Sequence, residues 1–410
     1  MRSVLTILAI WCAGLGAAAQ FGKISVLYDV LGVAYPDHRG VGIGLMVSIV
    51  GMVGLVFGTM AGLLVARIGA RRAMLAALLL GAAVSLVQSL FPPYPLMMLT
   101  RVLEGVSHLA IVVVGPTAIA GVAGARGQGL AMTLWSSFFG LTYAVLAYVG
   151  PALVAAGPPV LFWLHGLWML AICGLLFFLM PQDAARLPPA LGSLWAQLRA
   201  IYASPRIAAP AFGFVCYTVT YVAVLTLISR VVTPGWGSFV AVAMPLASIA
   251  VSLTLGVWLL SHLPAFRLVQ AGFAVAVMGA LALFGLQGQG VFEAAAALVV
   301  AAALGIVQGA SFAAIPQLNP RPEARANAAG AMAQLGNLGT VTGTPLLVLL
   351  LDRAGGVGPV PVPDRVFAAG HRAAPMAGAA ACAGDDAIKI SAPQRFVHPS
   401  FTFCSWKPGR

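Results

Sequence analysis

Charged side chains are scarce in this chain of 410 residues: they make up 8% of it, and only 10 residues are acidic. A soluble protein usually carries about 25% charged residues. The chain therefore lacks the charge needed to cover a water-exposed surface of its size. This shortage excludes an ordinary soluble domain and favours lipid as the surrounding solvent.

Cysteine and histidine are also few, with 5 and 6 residues respectively, and they are scattered. Cys12, Cys173 and Cys216 lie in apolar runs and are interpreted as small core residues, whereas Cys382 and Cys404 lie near the C-terminus. None of them has metal-ligand spacing, so we expect no metal and no cofactor. The sequence contains neither His-Glu-x-x-His nor Gly-x-Ser-x-Gly, which argues against an enzyme that works within the membrane.

The net charge of +12 could suggest nucleic-acid binding, but its distribution does not. The basic residues occur singly or in threes in short loops, without the basic face or run that a nucleic-acid surface requires. We therefore expect no nucleic-acid partner.

Hydrophobic residues make up 61% of the chain, and most of them lie in long apolar runs. Eleven runs have about the length that spans a bilayer, roughly 20 residues. They lie at 4–31, 41–65, 72–91, 96–119, 129–154, 159–181, 208–230, 238–261, 267–287, 291–315 and 326–351. Because backbone groups find no water in hydrocarbon, each run is predicted to be a helix, and the chain an all-α membrane protein.

One long connector divides these runs into six and five. The sequence thus predicts an N-terminal bundle at 1–181, a cytoplasmic linker at 182–207, a C-terminal bundle at 208–352 and an atypical, disordered tail at 353–410. Cytoplasmic loops of membrane proteins are rich in Lys and Arg. With the N-terminus in the cytoplasm, 11 such residues fall on the cytoplasmic side and 4 on the other. This bias predicts a multi-pass protein of the inner membrane.

Both ends of the chain leave alternatives open. The apolar start followed by Ala17-Ala18-Ala19 could be a cleaved signal, although the helical pattern continues to Leu31. At the other end, a twelfth span is missing or degenerate, because prolines and charges interrupt every window and residues 355–410 carry 9 charged residues in 56. We hypothesise that a shifted reading frame encodes this tail. If no other frame encodes an apolar stretch of about 20 residues, that idea fails.

The cytoplasmic loop between the second and third spans contains a spaced set of glycines and arginines. By charge alone it is a positive-inside loop that contacts helix ends or anionic lipid. Its spacing resembles the signature loop of the major facilitator superfamily, with bacterial transporters among its members. The matching residues are Gly62, Arg67, Gly69, Arg71 and Arg72. The resemblance implies two helical bundles around a central cavity; Ala66 stands where the family has an acidic residue that helps to latch the halves.

The fourth span carries three polar residues on one helix face. Arg101, Glu104 and His108 are spaced by three and four residues, and a charge in a bilayer costs at least about 2.5–3.5 kcal/mol. Arg101 and Glu104 can pair, either to set helix packing or to handle protons in a water-filled crevice. The run from Arg101 to Gly105 also resembles the family's fourth-span motif, whose basic residue is linked to proton coupling, and the resemblance implies that Arg101 tunes the protonation of Glu104. With His108 on the same helix face, these three residues are the candidate proton-coupling group.

Further polar side chains in the spans are candidates for a substrate cavity. Lys23 lies three residues after Gln20, and either reaches the outer headgroups or lies deeper and attracts an anion. Gln334 and Asn337 share one face of the last span, where they line a cavity or bond between helices, and Gln308 lies in the preceding span.

These features predict a monomeric secondary transporter that moves a small solute by alternating access, with protons and membrane lipid as its other partners. Proton-coupled efflux is favoured by Gly150-Pro151 at the end of span five, although Leu146 stands where antiporters of the family carry glycine. Uptake of a small organic anion is the alternative, since Lys23 and Arg101 outnumber the buried acids. An inactive remnant with an aberrant C-terminus, or a receptor, are further alternatives.

Overall fold

Helices make up nearly all of the computed structural model, which describes residues 2–183 and 194–353. The first half contains α1 (Arg2–Val26), α2 (Tyr28–Ala34), α3 (Val41–Ser48), α4 (Gly51–Phe57), α5 (Ala61–Ile68), α6 (Ala70–Gln88), α7 (Tyr94–Ser136), α8 (Phe138–Ala156) and α9 (Pro158–Leu179). The second contains α10 (Leu194–Tyr202), α11 (Pro205–Val231), α12 (Gly237–Val251), α13 (Val257–Leu260), α14 (Ala265–Gly285), α15 (Val291–Leu318) and α16 (Pro322–Arg353). Residues 184–193 of the predicted linker and residues 354–410 of the predicted tail lie outside these described residues.

Prolines and glycines set many of the helix boundaries. Pro158 and Pro205 open α9 and α11, where the missing N–H of proline removes no helical hydrogen bond. Gly69 and Gly157 stand before α6 and α9 with φ values of +98° and +138°, which residues with a side chain rarely adopt. The chain can therefore turn between consecutive spans within one or two residues.

Ten helices of the described region are long and apolar enough to cross a membrane. The predicted span at 41–65 is the exception, because it is divided into α3, α4 and α5 by turns near residues 49–50 and 58–60. The predicted first span is also interrupted: α1 ends at Val26, and α2 begins at Tyr28 after Leu27. These breaks shift the boundaries of the predicted helices, but the all-α membrane fold is confirmed.

The predicted fourth and fifth spans are joined by helical backbone in α7. A would-be Cβ on Gly115 would lie 2.2 Å from the indole of Trp135. In a straight helix, 20 residues of separation would place these two positions about 30 Å apart. The backbone must therefore reverse direction between them, and the turn at the end of the fourth span is helical rather than an open loop.

Two groups of helices meet mainly along four helix pairs, and one cluster of buried apolar residues extends across both groups. In the first group α1 packs on α7, α8 and α9, and α6 packs on α7 and α9; in the second, α11 packs on α16 and α15 on α14 and α12. Between the groups, α3 and α4 lie against α16, α8 against α12, and α1 against α11. Two bundles that can tilt against each other are the arrangement that alternating access needs.

Candidate functional site

A buried ion pair joins the first and fourth spans inside the N-terminal group of helices. The ammonium of Lys23 lies 2.5 Å from Oε1 of Glu104, and both side chains are fully buried. Arg101, one turn before Glu104 on α7, contacts the other carboxylate oxygen and is also fully buried. Glu104 is thus held between two cations. The predicted Arg101–Glu104 pair is present, and Lys23 lies with it rather than extending to the outer headgroups.

Arg101 also holds the end of α3. Its Nε donates to the carbonyl of Met46 at 2.8 Å, and Nη2 donates to the carbonyl of Val47 at 3.1 Å. The last carbonyls of a helix have no partner within the helix, so a guanidinium is well suited to satisfy them. The next residue, Ser48, donates to the carbonyl of Val341 on α16 at 2.9 Å. The chain of contacts from Glu104 therefore ends at the interface between the two halves.

The remaining donors of Lys23 have partners as well. Its Nζ lies 2.9 Å from Oγ of Ser85 and 3.2 Å from Nδ1 of His165. Nε2 of His165 lies 3.0 Å from the carbonyl of Gly16. Because a carbonyl only accepts, we assign the ring proton to Nε2, which leaves Nδ1 free to accept from Lys23. The geometry thus fits a neutral imidazole beside the ammonium.

Amides and hydroxyls complete this buried cluster. Nε2 of Gln88 donates to Oε2 of Glu104 at 2.9 Å and to Oγ1 of Thr100 at 3.0 Å. Gln20 donates to Ser107 at 2.9 Å, and Ser107 donates in turn to the carbonyl of Ala77. Every one of these side chains is buried. A buried polar network of this kind fixes the orientation of its charged members.

His108 is separated from the ion pairs, although it shares the helix face of Arg101 and Glu104. Its Nδ1 lies 3.1 Å from the carbonyl of Ala17, and its ring contacts Phe21 edge-on at 5.0 Å. We expected one polar stripe facing a crevice between the bundles. The structure instead places Arg101 and Glu104 within the N-terminal group, because α1 and α6 pack on α7 and the end of α3 binds the Arg101 guanidinium.

The five predicted cavity residues make different contacts in the described structure. Gln20 and Lys23 belong to the buried cluster. Gln334, on α16, donates to the carbonyl of Leu55 at 3.0 Å and accepts from Tyr202 at 2.9 Å, and burial raises the pKa of that tyrosine. Gln334 therefore lies where α16 meets α4, and its role in a substrate cavity stays a prediction.

The other two predicted cavity residues also lie on the C-terminal helices. The side-chain amide of Asn337 donates to the carbonyl of Ala333 at 2.8 Å, and the side chain fills the space opposite Gly54. Gln308 is half-buried on α15, next to Gly309, which faces Ser252. Asn337 therefore contributes to the packing of α16 on α4, whereas the role of Gln308 in a substrate cavity stays a prediction.

The arginine-rich loop is organised by an acidic residue from beyond the sixth span. Both carboxylate oxygens of Asp183 accept backbone N–H groups at the start of α6, from Arg71 at 2.9 Å and Arg72 at 3.1 Å. A side chain at Gly69 would collide with Asp183, with a would-be Cβ 2.3 Å from its oxygen. Arg71 donates to the carbonyl of Phe177 at 2.7 Å and lies over its ring.

The remaining members of the predicted loop motif are more exposed. Gly62, Arg67 and Arg72 lie on the surface, and a Cβ on Gly62 would meet nothing within 4 Å. Gly69, Arg71 and Asp183 therefore give the loop its close contacts with the start of α6 and the end of α9. Its acidic residue comes from position 183, whereas the resembling family has one where Ala66 stands.

Hydroxyl groups join the two halves near the middle of the molecule. Oγ of Ser25 on α1 lies 2.9 Å from Oγ1 of Thr226 on α11 and 3.3 Å from the hydroxyl of Tyr143 on α8. Asp29 on α2 and Arg230 near the end of α11 form an ion pair at 2.5 Å. The helices α1 and α2 of the N-terminal group thus contact α11 of the other group through polar atoms.

Several of these residues were not singled out by the sequence. They are Ser25, Ser85, Gln88, Tyr143, His165, Asp183 and Thr226. Ser25 lies two residues after Lys23 on α1, and Gln88 lies on α6 with Arg71 and Arg72. A helix shared with a predicted site residue is a weak signal. His165 and Asp183 become neighbours of the site only through tertiary packing, and no local pattern marks them.

Comparisons with known proteins agree with this architecture. Residues 6–344 match the Major Facilitator Superfamily. A bacterial homolog of the human lysosomal transporter Spinster, inward-facing and unoccupied, matches with a TM-score of 0.68 and 14% identity over 86% of this chain and 83% of that one. A search of curated protein sequences gives no significant match.

Two solved xylose transporters have the same fold. A D-xylose–proton symporter matches with a TM-score of 0.65 and 15% identity, over 90% of this chain and 96% of that one. The partially occluded, inward-open xylose transporter XylE from E. coli matches with a TM-score of 0.68 and 15% identity, over 92% and 99%. From the family match, the paired bundles and the ten membrane-length helices, the chain belongs to the major facilitator superfamily and is a multi-pass membrane transporter of small solutes rather than an enzyme.

Proposed function

We propose that this transporter exports a moderately apolar solute across the inner membrane in exchange for protons, and that it works as a monomer with Glu104 as the proton-carrying group. The observation that carries the proposal is the position of Glu104 between Lys23 and Arg101, with all three side chains fully buried. Holding charges in the membrane interior is costly, so such groups commonly serve ion or proton pathways.

The contacts of Arg101 suggest how a proton on Glu104 would reach the interface. While the carboxylate is charged, it holds Arg101 against the carbonyls of Met46 and Val47. A protonated Glu104 would lose most of its attraction for Arg101, and the end of α3 would lose a partner. Since Ser48 follows directly and bonds α16, proton binding would alter the contact between the halves.

Proton flux in inside-out vesicles with an acidic lumen tests this function. When an apolar test compound is added outside, exchange predicts that protons leave the lumen as the compound enters. Vesicles without the protein provide the baseline. A compound that accumulates in the vesicles without any proton movement would refute proton-coupled export.

Uptake of a small organic anion together with protons is the second candidate. The favouring observation is charge: the buried cluster has two cations, Lys23 and Arg101, for the single carboxylate of Glu104. In the same vesicles, co-transport predicts that protons enter with the anion. The sign of the proton movement therefore separates the two candidates.

A further inference from the structure

An apolar groove opens on the side of the N-terminal group of helices. It lies between α1, α8 and α9, has a volume of about 320 Å³, and is lined almost wholly by apolar atoms. We name it the lateral groove, and Leu15, Ala19, Val145, Leu164 and Trp168 are among its lining residues.

The lateral groove faces the surrounding lipid rather than the interface between the halves. Three of its lining residues are exposed on the outer surface: Val145 by 48%, Leu164 by 46% and Trp168 by 41%. The contact of α8 with the other half lies elsewhere on that helix, at Gly140, which packs against Pro245 and Ile249. An apolar molecule dissolved in the bilayer can thus reach the groove without passing through water.

The inner end of the lateral groove meets the buried charge cluster. Lys23 and His165 both contribute to its lining, and Lys23 is the residue that binds Glu104. With His165 neutral, the described cluster contains two cations and one anion. The groove therefore combines an apolar wall with an excess of positive charge at its base.

We propose that the lateral groove binds an amphipathic acid with an alkyl chain that enters from the bilayer. The chain would lie along the apolar wall, and the acidic group would lie toward Lys23, where it could compete with Glu104 for the ammonium. This inference rests on the proposed function, because the bound acid would act on the same coupling cluster. The groove opens away from the interface between the halves, so this site is distinct from the path of the transported solute.

Photolabelling of the full chain in lipid nanodiscs tests this site directly. The probe is dodecanoic acid with a diazirine at the end of its alkyl chain, and the matched probe carries a trimethylammonium group instead of the carboxylate. We expect the acid to label α1, α8 and α9 along the groove. The ammonium probe should label these helices about tenfold less, since the base of the groove is positive.

Two matched variants separate the groove from general lipid exposure. Val145→Trp fills the rim and should reduce labelling by the acid about tenfold. Val277→Trp makes the same change on the lipid-facing side of α14, where Val277 is 59% exposed, and should leave groove labelling unchanged. Thermal unfolding of each variant verifies that the fold is retained.

The labelling result is independent of the proton-flux result. Equal labelling of Val145→Trp and the native chain, or equal labelling by both probes, would overturn the proposed acid site. If a co-purified bilayer phospholipid occupies the groove and the acid cannot displace it, the groove is a lipid site and the proposal is also overturned. If labelling succeeds but no proton movement accompanies transport, the proposed function fails while the acid site stands.

Discussion

The ammonium of Lys23 and the carboxylate of Glu104 meet at 2.5 Å in the interior of the N-terminal helices, although they are 81 residues apart in the chain. Lys23 comes from the first span and Glu104 from the fourth. Their contact, together with Arg101, makes Glu104 the focus of the proposed coupling.

Glu104→Gln should abolish transport against a gradient while leaving exchange of solute down its gradient. Glutamine has nearly the same shape as glutamate but cannot carry a titrating proton. Uphill transport driven by an imposed proton gradient and exchange without a gradient are measured in the same proteoliposomes. Normal uphill transport in this variant would remove Glu104 from the coupling mechanism.

The same substitution should destabilise the protein, and a second change should restore part of the loss. Removing one partner of a buried ion pair costs about 3–5 kcal/mol, because a buried charge is left uncompensated. Glu104→Gln leaves both Lys23 and Arg101 unbalanced, whereas Lys23→Met with Glu104→Gln returns the cluster to its native net charge. Thermal unfolding in detergent should rank the native chain first, the double variant second and Glu104→Gln last. A double variant less stable than Glu104→Gln would contradict this account.

Asp183→Ala should lower stability by about 1 kcal/mol, because the first turn of α6 loses the acceptor for two backbone N–H groups. Asp183→Asn is the matched control, since its amide oxygen can still accept one of them. The melting temperatures of the three proteins provide the measurement. If the alanine and asparagine variants melt together, the capping role is incorrect.

Asp29→Asn should favour the conformation in which the two halves separate between α2 and the end of α11. The pair is partly exposed, with 14% and 30% exposure for the Arg230 and Asp29 side chains, so its loss is worth about 1 kcal/mol, or roughly a fivefold change in population. Alkylation of a cysteine placed at Ser25, which contacts Thr226 behind the pair, measures this opening. Exchanging the two residues, as Asp29→Arg with Arg230→Asp, should return the alkylation rate toward its starting value. An unchanged rate in Asp29→Asn would mean that the ion pair does not hold the halves together.

Gly343→Ala should weaken the packing of α16 on α11 by about 1–3 kcal/mol. A Cβ at this position would lie 2.1 Å from the carbonyl oxygen of Val219, which is backbone and cannot rotate away. Gly213→Ala is the control, because its nearest neighbour would be the side chain of Val269 at 3.9 Å. Comparable melting temperatures for the two variants would show that the helices separate easily.

The helical spans could be predicted closely because lipid imposes the same requirement on every segment. An apolar run in hydrocarbon must satisfy its own backbone groups, so composition and length suffice to locate a helix. The exceptions lie where side chains of other helices provide the hydrogen-bond partners that the backbone groups need. The predicted second span is divided into α3, α4 and α5, and its carbonyls at Met46 and Val47 find a partner in Arg101.

The candidate site could be predicted only in part. Arg101 and Glu104 are three residues apart on one helix, so their pairing follows from helical geometry. Lys23 and His165 come from other helices, and no spacing in the sequence indicates that they meet Glu104. The spacing on α16 likewise predicts which helix face carries Gln334. It does not predict which other helix that face contacts.

The sequence by itself determined that this chain is a helical membrane protein, because 8% charge and repeated apolar runs leave no other solvent for it. It also determined which residues share a helix face. The tertiary structure decided which faces meet, and so placed Lys23, Glu104 and Arg101 together inside one bundle and Asp183 at the start of α6. Contacts between helices depend on the shape of whole surfaces in lipid, where apolar side chains alone give little preference for one partner over another.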